Sequence, residues 1–426
     1  MNTEQYPVEV YDIWQYITSQ VYPYEPIFRC RIDFDDRLDI DALRQAVTAT
    51  LQMCPLFGCR YDDSGKHPVW VGHGLTGDDM VVEMTSDEDN VDDIILEAFN
   101  RPIDPANGPQ QWITVVRTPY GDTLCFIVNH MVCDAAGYHE YLYLLGDLYT
   151  RIVNGRQLPE LHPGPRQAEL LLKGLGFFER RRIVRSKTRL MTGVDNPDQA
   201  GVDLSGDDEQ RVYMETRHLP TERVAALRAF AKANNASFND LMMALYARGF
   251  CRIADREHIQ IPATMNLRKF IPSGQEYGLG NFSEGVLCMV DVKPSDDLAT
   301  TLAQVRDQMQ VYKNSKNVLK GTIAWSLVVL LTPYHQLEEK FPSTSKRQYV
   351  SYSNLGVLDA DRLIFDDLPI SAAYLMPSIK SRPGVGMDIS SYNDQCWMTS
   401  NLRGGELDYQ FACAVLDHIC TEVDEL

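Results

Sequence analysis

The sequence of 426 residues lacks the short motifs that mark metal-dependent proteases, P-loop proteins and serine hydrolases, since no H-E-x-x-H, G-x-x-x-x-G-K-[ST] or G-x-S-x-G pattern occurs in it. Its 10 cysteines are scattered singly, without a Cys-x-x-Cys pair or a Cys/His quartet at zinc-binding spacing. We therefore expect no metal ion, no tightly bound cofactor, and reduced cysteines that pack within the core.

Positive charge and long apolar runs are also scarce. The 40 Lys and Arg stand against 59 Asp and Glu, and the formal net charge of −19 argues against a nucleic-acid partner. The longest apolar run, residues 322–331, falls short of the ~20 residues that span a bilayer. Residues 1–5 lack the basic and apolar regions of a signal peptide. We predict a cytoplasmic protein without membrane contact.

The length and composition indicate two folded domains. A content of 44% apolar and 23% charged residues is typical of globular proteins, and a chain of this length suits two domains of roughly 200 residues each. Between residues 155 and 210 the regular pattern gives way to prolines, a basic run at 180–182 and an acidic run at 195–210. We predict an N-terminal domain at 1–165, a linker at 166–210 and a C-terminal domain at 211–426.

Strand-like alternation and helical spacing follow one another in both halves, which predicts two mixed α/β domains of similar size. A capping box at Ser237 and Asp240 marks the start of one helix. The predicted strands are 27–34, 112–117, 122–128, 258–262, 285–292 and 347–352, and predicted helices begin near Asp39, Tyr138, Thr221, Ser237 and Leu298.

One short stretch, residues 130–134, contains candidate residues for acid–base catalysis. His130 stands where the strand-like run 122–128 ends, and Asp134 follows four residues later, ahead of a helix-like segment. A strand end is a rigid mount for a base, and an Asp at a helix start is stabilised by free amide groups and the helix dipole. Imidazole, with a reference pKa of about 6.5, can take a proton from a hydroxyl or an amine near pH 7. The residues alone leave open a buried histidine beside a capping aspartate, because this spacing is common.

Residues 127–137, Ile-Val-Asn-His-Met-Val-Cys-Asp-Ala-Ala-Gly, resemble the H-H-x-x-x-D-G signature of the CoA-dependent acyltransferase superfamily. The resemblance is to its condensation-domain-like branch: peptide-synthetase condensation domains, polyketide-associated acyltransferases, wax-ester synthases and alcohol acetyltransferases. Asn129 replaces the first histidine of the signature, and Ala135 replaces the glycine that follows the aspartate. Further segments resemble the family in the same order, namely residues 28–34, 38–43, 54–57, 236–241, 265–268, 280–282 and 350–356.

The resemblance implies a fold and a role for several residues. The fold is a pair of chloramphenicol-acetyltransferase-like α/β domains with mixed sheets, arranged as a V-shaped pseudo-dimer with a tunnel between them. His130 is then the catalytic base, and Asp134 is a structural aspartate that turns away from the substrate. Arg268 is its salt-bridge partner from the other domain, and Gly137 supports the structure of the site.

The resemblance also implies a reaction. An acyl group moves from a thioester of CoA or of an acyl or peptidyl carrier protein to an alcohol or amine acceptor, by direct transfer in a ternary complex. Candidates for stabilising the oxyanion or lining the tunnel are Asn129, Ser351, Ser353 and Asn354, although residues 354–356 favour a turn. A non-catalytic module that binds a carrier protein or another partner is the alternative, and a hydrolase that uses water as acceptor is the third possibility.

Two further features have more than one interpretation. The apolar residues 170–178, followed by three arginines, fit a membrane-surface or acyl-channel segment, or an interdomain connection that packs on both halves. Lys313, Lys316 and Lys320 share one helical face, which suits the phosphates of CoA, an acidic carrier protein, or simply a solvated surface.

Overall fold

The computed structural model describes residues 4–21, 25–190, 204, 211–340, 350–381 and 384–426. The elements of the first half are β1 (Gln5–Pro7), α1 (Val10–Val21), β2 (Ile27–Phe34), α2 (Ile40–Thr50), β3 (Cys59–Asp62), β4 (Val69–Gly72), α3 (Gly77–Met80), β5 (Val81–Thr85), α4 (Val91–Phe99), β6 (Gln111–Arg117), β7 (Asp122–Asn129), α5 (Ala135–Val153), α6 (Glu169–Leu172) and α7 (Phe177–Val184).

The elements of the second half are β8 (Arg211–Leu219), α8 (Thr221–Ala233), α9 (Phe238–Ile253), β9 (His258–Asn266), β10 (Ser283–Asp291), α10 (Leu298–Lys313), α11 (Lys320–Leu331), β11 (Ser351–Leu358), β12 (Ile370–Met376), β13 (Lys380–Ser381), β14 (Gly386–Tyr392), β15 (Gln395–Gly404) and α12 (Glu406–Asp424). Helices and strands therefore alternate through both halves, as the sequence predicts.

Local sequence signals set several helix boundaries. Asp39 precedes α2, and its carboxylate accepts a hydrogen bond of 2.9 Å from the amide of Ala42. The predicted capping box is confirmed, because the Asp240 amide donates to the Ser237 hydroxyl at 3.2 Å and the Ser237 amide donates to the Asp240 carboxylate at 3.0 Å. Each cap satisfies amide groups that the first helical turn leaves unpaired.

The strands form two main sheets and one small sheet. One lobe contains a five-stranded sheet in the order β12-β2-β7-β6-β5, and the other contains β10-β9-β11-β14-β15-β13, with β8 added on β15. A small sheet, β1-β4-β3, belongs to the first half of the chain. Because β12 comes from the second half of the chain and pairs antiparallel with β2, the two lobes are joined by a strand as well as by the linker.

Each lobe has its own hydrophobic core. The core of the first lobe includes Phe126 and Leu142, and it extends to Leu375 of β12 and Trp397 of β15. The second core lies between the larger sheet and helices α8, α9, α10 and α12. A third, smaller cluster joins Ile13 of α1 to Trp325 of α11 and so ties the beginning of the chain to the second lobe.

One predicted segment differs in the structure, and two others lie partly outside the residues that the structure describes. The segment 354–356 is a bulge within β11 rather than a turn, since the register of β11 against β14 shifts between Asn354 and Val357 and Gly356 has φ of 98°. The predicted strand at 347–352 is described only from residue 350, and β11 begins at Ser351. Residues 191–203 and 205–210 of the predicted linker lie outside the described residues.

Other observations concern the cysteines, the interdomain segment and the membrane. All ten cysteines are unpaired, and eight of them are buried, as expected of core residues. The leucines at 170–172 belong to the second hydrophobic core, so this part of the segment packs between elements of the protein. Among the described residues, no helix combines the length and apolar character needed to cross a membrane.

Candidate active site

His130 lies directly after β7, in the middle of the five-stranded sheet. β7 pairs with β2 on one side and β6 on the other, and every one of its eight residues is buried. The amide of His130 donates to the carbonyl of Pro26 at 2.7 Å, which continues the pairing with β2 by one residue. A central, fully paired strand thus fixes the backbone from which the imidazole projects.

The imidazole of His130 is half-buried. Its ring packs against Phe28, with 4.2 Å between centroids, and its Nε2 lies 3.5 Å from Nε2 of Gln15 on α1. Burial lowers the pKa of His130 below the usual value for imidazole, while the nearby main-chain groups of His130 and Cys133 and the charge of Asp134 act in the opposite direction. The ring is therefore neutral near pH 7.

Asp134 is the N-cap residue of α5 and is buried, with 5% of its surface exposed. Its carboxylate accepts four hydrogen bonds: from the amides of Gly137 and Phe282 at 3.0 and 2.8 Å, and from Nη2 and Nη1 of Arg268 at 2.8 and 2.9 Å. Two carboxylate oxygens offer about four lone-pair positions, so the acceptor capacity of Asp134 is filled. Asp134 consequently cannot also bind a substrate or orient the imidazole.

The Asp134–Arg268 pair joins the two lobes. Burial alone would raise the pKa of Asp134, but the charge and the bidentate hydrogen bonds of Arg268 hold this pKa below its usual value. The guanidinium also donates to the carbonyl of Gly280 at 3.1 Å and lies 5.0 Å from the centre of the Phe282 ring. Arg268 follows β9 of the second lobe, whereas Asp134 begins a helix of the first.

The segment Gly280–Phe282 binds the loop from His130 to Asp134 through hydrogen bonds and close packing. Nδ2 of Asn281 donates to the carbonyls of His130 and Met131 at 2.8 and 3.1 Å. The backbone of α5 approaches so closely that a Cβ atom on Gly137 would lie 3.0 Å from Cβ of Cys133 and 3.4 Å from the carbonyl oxygen of Gly280. The glycine at position 137 therefore permits the contact, although it comes two residues later than in the signature.

A second buried ion pair, which sequence reasoning missed, holds the loop from another side. Nη2 and Nη1 of Arg166 contact Oδ1 and Oδ2 of Asp12 at 3.0 and 3.2 Å, and Nη2 also donates to the carbonyl of Val132 at 2.8 Å. Asp12 accepts a further hydrogen bond of 3.0 Å from Nε1 of Trp70. No motif spacing marks Asp12 or Arg166, because 154 residues separate them in the chain.

Asn129, at the position of the first histidine of the signature, points into the first lobe. It is 1% exposed. Its Nδ2 donates to Oε1 of Gln110 at 2.8 Å, and its Oδ1 accepts from the amide of Met131 at 3.0 Å. The structure therefore does not bring the carboxamide of Asn129 to the side of the loop where a substrate would lie, and its contacts shape the turn before Asp134.

The other predicted residues lie on β11. Ser353 stands opposite Asp388 of β14, and Ser351 stands opposite Gly386, so both serines are on one face of the sheet. Tyr352 points to the other face, where its hydroxyl lies 3.1 Å from Oδ1 of Asn239 on α9. Oδ1 of Asn354 accepts from the amide of Gly356 inside the bulge. Within the described part of the chain, no hydrogen bond links His130 to Ser351, Ser353 or Asn354.

Two acids of the larger sheet, one buried and one half-buried, were also missed. Burial raises the pKa of Asp388 to about 7, against the opposing effect of Lys380 and Ser353. Burial likewise raises the pKa of Glu284 to about 8, although the main-chain amides of Gly285 and Thr322 act against it. No spacing signal marks either acid, because each gains its environment only when the second lobe packs against its neighbours.

Solved structures of known proteins share the two-lobed arrangement described above. The first condensation domain of the calcium-dependent antibiotic synthetase, in complex with a substrate analogue, superposes with a TM-score of 0.68 over 99% of both chains at 13% identity. The chain has the condensation-domain fold. The fold also matches polyketide synthase associated protein 5 from Mycobacterium tuberculosis, with a TM-score of 0.66 and 16% identity over 96% of this chain and 97% of that one. The predicted two-lobed, chloramphenicol-acetyltransferase-like architecture is thereby confirmed.

Comparison of sequences finds one further, weaker similarity, to a peptide synthase. Bacitracin synthase 3 from Bacillus licheniformis is 18% identical over 374 residues, which is 81% of this chain and 6% of that protein's length. The chain thus spans a small part of this curated relative. No protein-family model matches the sequence. At these identities the likeness establishes the fold.

Proposed function

We propose that the protein is an acyltransferase that moves an acyl group from a thioester, carried by CoA or by a carrier protein, to a hydroxyl or amine acceptor. His130 acts as the general base. The observation that carries the proposal is the placement of one half-buried imidazole at the junction of two lobes, on a loop held by buried ion pairs.

The proposed reaction needs only one base. Nε2 of His130 takes the proton of the acceptor O–H or N–H while the acceptor attacks the thioester carbonyl. The C–S bond then breaks, and the imidazolium returns the proton to the departing sulfur, so that no residue remains acylated. Nε2 of His130 faces the side-chain amide nitrogen of Gln15 at 3.5 Å, and because this nitrogen can only donate, the contact supports a lone pair on Nε2 of His130 and its proton on Nδ1.

Asp134, Arg268 and Gly137 are positioning residues in this proposal. The carboxylate of Asp134 has no free lone pair for chemistry, and its bonds to Arg268 hold the second lobe against the loop. Cys133 is fully buried, and burial raises the pKa of its thiol, so a covalent thiol intermediate is not supported.

Ser351 and Ser353 are our candidates for contacts with the oxyanion or the acceptor. Both are partly exposed and share one polar face of the larger sheet with Asp388. A hydroxyl that donates to the developing oxyanion stabilises it more in a low-dielectric site than in water. Asn129 is not a candidate, because its carboxamide is engaged inside the first lobe.

The experiment is thiol release from acyl-CoA and acyl-pantetheine, with and without panels of alcohols and amines. His130→Ala is expected to lower turnover by about 10²- to 10⁴-fold, the usual contribution of a general base. His73→Ala, which removes an exposed histidine, is the matched control and should leave turnover unchanged. Melting temperatures of both variants check the fold.

Three outcomes separate the alternatives. Unchanged turnover in the His130→Ala variant would refute the general-base role. Thiol release that needs no added acceptor would indicate a hydrolase. Absence of turnover in the wild-type protein with both acyl-CoA and acyl-pantetheine would contradict an enzyme that uses these thioesters and favour a non-catalytic module that binds a carrier protein.

A further inference from the structure

One side chain approaches the nitrogen of His130 that acts as the base in the proposed function. Nε2 of Gln15 on α1 lies 3.5 Å from Nε2 of His130 on the loop after β7. Both residues are half-buried. The carboxamide of Gln15 carries no charge, and its nitrogen can only donate hydrogen bonds. A hydrogen-bond donor therefore lies beside the atom that takes the proton of the acceptor.

Helix α1 is anchored to both lobes, which fixes the backbone of Gln15. On the side of the first lobe, the carboxylate of Asp12 accepts a hydrogen bond of 3.0 Å from Nε1 of Trp70. On the side of the second lobe, the ring of Trp14 meets that of Trp325 edge to face, with 5.1 Å between centroids. The helix thus holds the stem of Gln15 at the junction, while rotation of its side-chain bonds can still turn the carboxamide.

One face of α1 contacts the loop after β7 at two points. Asp12 and Gln15 are three residues apart, a spacing that places two side chains on the same helical face. Asp12 pairs with Arg166, which donates to the carbonyl of Val132. Gln15 reaches the ring of His130. This face of α1 therefore supports the loop at one point and approaches its imidazole at the other.

The contact between Gln15 and His130 is a weak one. A separation of 3.5 Å is at the long end for a hydrogen bond. An acceptor hydroxyl or amine that donates to Nε2 of His130 needs the same lone pair, so it displaces the amide of Gln15. Because a long hydrogen bond is easily broken, this exchange costs little. The displaced amide then needs a new hydrogen-bond acceptor nearby.

Proton transfer supplies that hydrogen-bond acceptor. Once Nε2 of His130 carries the proton, it is itself a donor and repels the N–H groups of the Gln15 amide. In the same step the attacking oxygen or nitrogen bonds to the thioester carbon, and the carbonyl electrons move to the carbonyl oxygen, which becomes an oxyanion. This oxyanion is two bonds from the atom that lost the proton. It therefore forms close to Nε2 of His130, where the amide of Gln15 starts.

We propose that Gln15 is a further catalytic residue, whose side-chain amide donates a hydrogen bond to the oxyanion of the tetrahedral intermediate. When the intermediate collapses, the electrons of the oxyanion form the carbonyl again, the C–S bond breaks, and the imidazolium of His130 gives its proton to the departing sulfur. Such a donor favours the transition state over the planar thioester, because the negative charge exists only after attack. The role rests on the proposed acyl transfer.

Titration calorimetry with two unreactive analogues of acyl-pantetheine tests the proposal without turnover. One analogue has a phosphonate, a tetrahedral anion, in place of the thioester group, and the other has a ketone in which CH₂ replaces the sulfur. Gln15→Met keeps the length of the side chain and removes the donor. It should weaken binding of the phosphonate by about tenfold or more and leave binding of the ketone unchanged, since only the phosphonate loses a charge-assisted hydrogen bond. Gln15→Glu places a carboxylate beside the anion and should weaken phosphonate binding further.

The matched control is Gln20→Met, which makes the same change at an exposed position of the same helix. It should bind both analogues as the wild type does, and melting temperatures check the fold of each variant. Unchanged phosphonate binding in the Gln15→Met variant, or equal weakening of both analogues, would overturn the oxyanion role alone. No binding of either analogue to the wild-type protein would overturn the proposed acyl transfer and this role with it.

Kinetics separates donation to the oxyanion from positioning of the imidazole. Gln15→Met should lower kcat by about 10²- to 10³-fold, the usual effect of removing one oxyanion donor, with little change in KM. In the His130→Ala variant the oxyanion still forms during the residual reaction, so adding Gln15→Met should lower the residual kcat by a similar factor. If the second substitution has no further effect there, Gln15 acts only through the imidazole and the proposal is wrong.

Discussion

Replacing Arg268 by methionine tests the ion pair that joins the two lobes. The change keeps the apolar stem and removes the guanidinium, leaving the Asp134 carboxylate with only the amides of Gly137 and Phe282. The side chains of the pair are 12% and 6% exposed, so water cannot readily replace the lost partner. Loss of one partner from a buried pair costs about 3 to 5 kcal/mol, and we expect a loss of this size in the free energy of unfolding at pH 7.

Urea unfolding followed by circular dichroism measures this cost, and Arg362→Met provides a matched control. Arg362 also forms a bidentate pair, with Glu140 at 2.7 and 2.8 Å, but both side chains are about half exposed, and a pair of this kind contributes about 0 to 1 kcal/mol. The Arg268→Met variant should recover part of its stability on acidification, since the stranded carboxylate can then take up a proton. Equal costs in the two variants would refute the buried-pair argument.

The other predictions concern a close contact and a buried acid. Gly137→Ala should lower the free energy of unfolding by about 1 to 3 kcal/mol, because the added methyl group would be overpacked against Cys133 and Gly280. Gly65→Ala is the control and should be nearly neutral, since a Cβ atom there meets only an ordinary contact at 3.5 Å. Thermal unfolding measures the stability of both variants. Glu284 has a pKa raised to about 8 by burial, so the folded state holds its proton more tightly than the unfolded state and stability falls as pH rises between about 4.5 and 8. Glu284→Gln should therefore gain stability over the wild type at pH 9 and not at pH 4, and an equal difference at both pH values would contradict the raised pKa of Glu284.

The sequence predicted the elements whose signals are local. Alternation identified β2, β6 and β7, and the Ser237 capping box located the start of α9, because side-chain direction and helix caps depend on neighbouring residues. The crossing of β12 into the first sheet could not be predicted, since pairing with β2 joins residues more than 300 positions apart and leaves no periodic trace. For the same reason, resemblance to a family indicated Arg268, whereas nothing indicated Arg166, which contacts Asp12 across 154 residues.

The two departures from the signature have a common structural consequence. With Asn129 in place of the first histidine, the turn before Asp134 is held by an amide-to-amide contact with Gln110 and not by a titratable ring. With Ala135 after the aspartate, the close approach of α5 to Gly280 is made possible at Gly137, and Asp134 still caps the helix. The loop therefore retains its two buried arginine contacts, from Arg268 beside Asp134 and from Arg166 at the carbonyl of Val132. Since rigid support of the base is what the proposed chemistry needs, these substitutions are compatible with catalysis by His130.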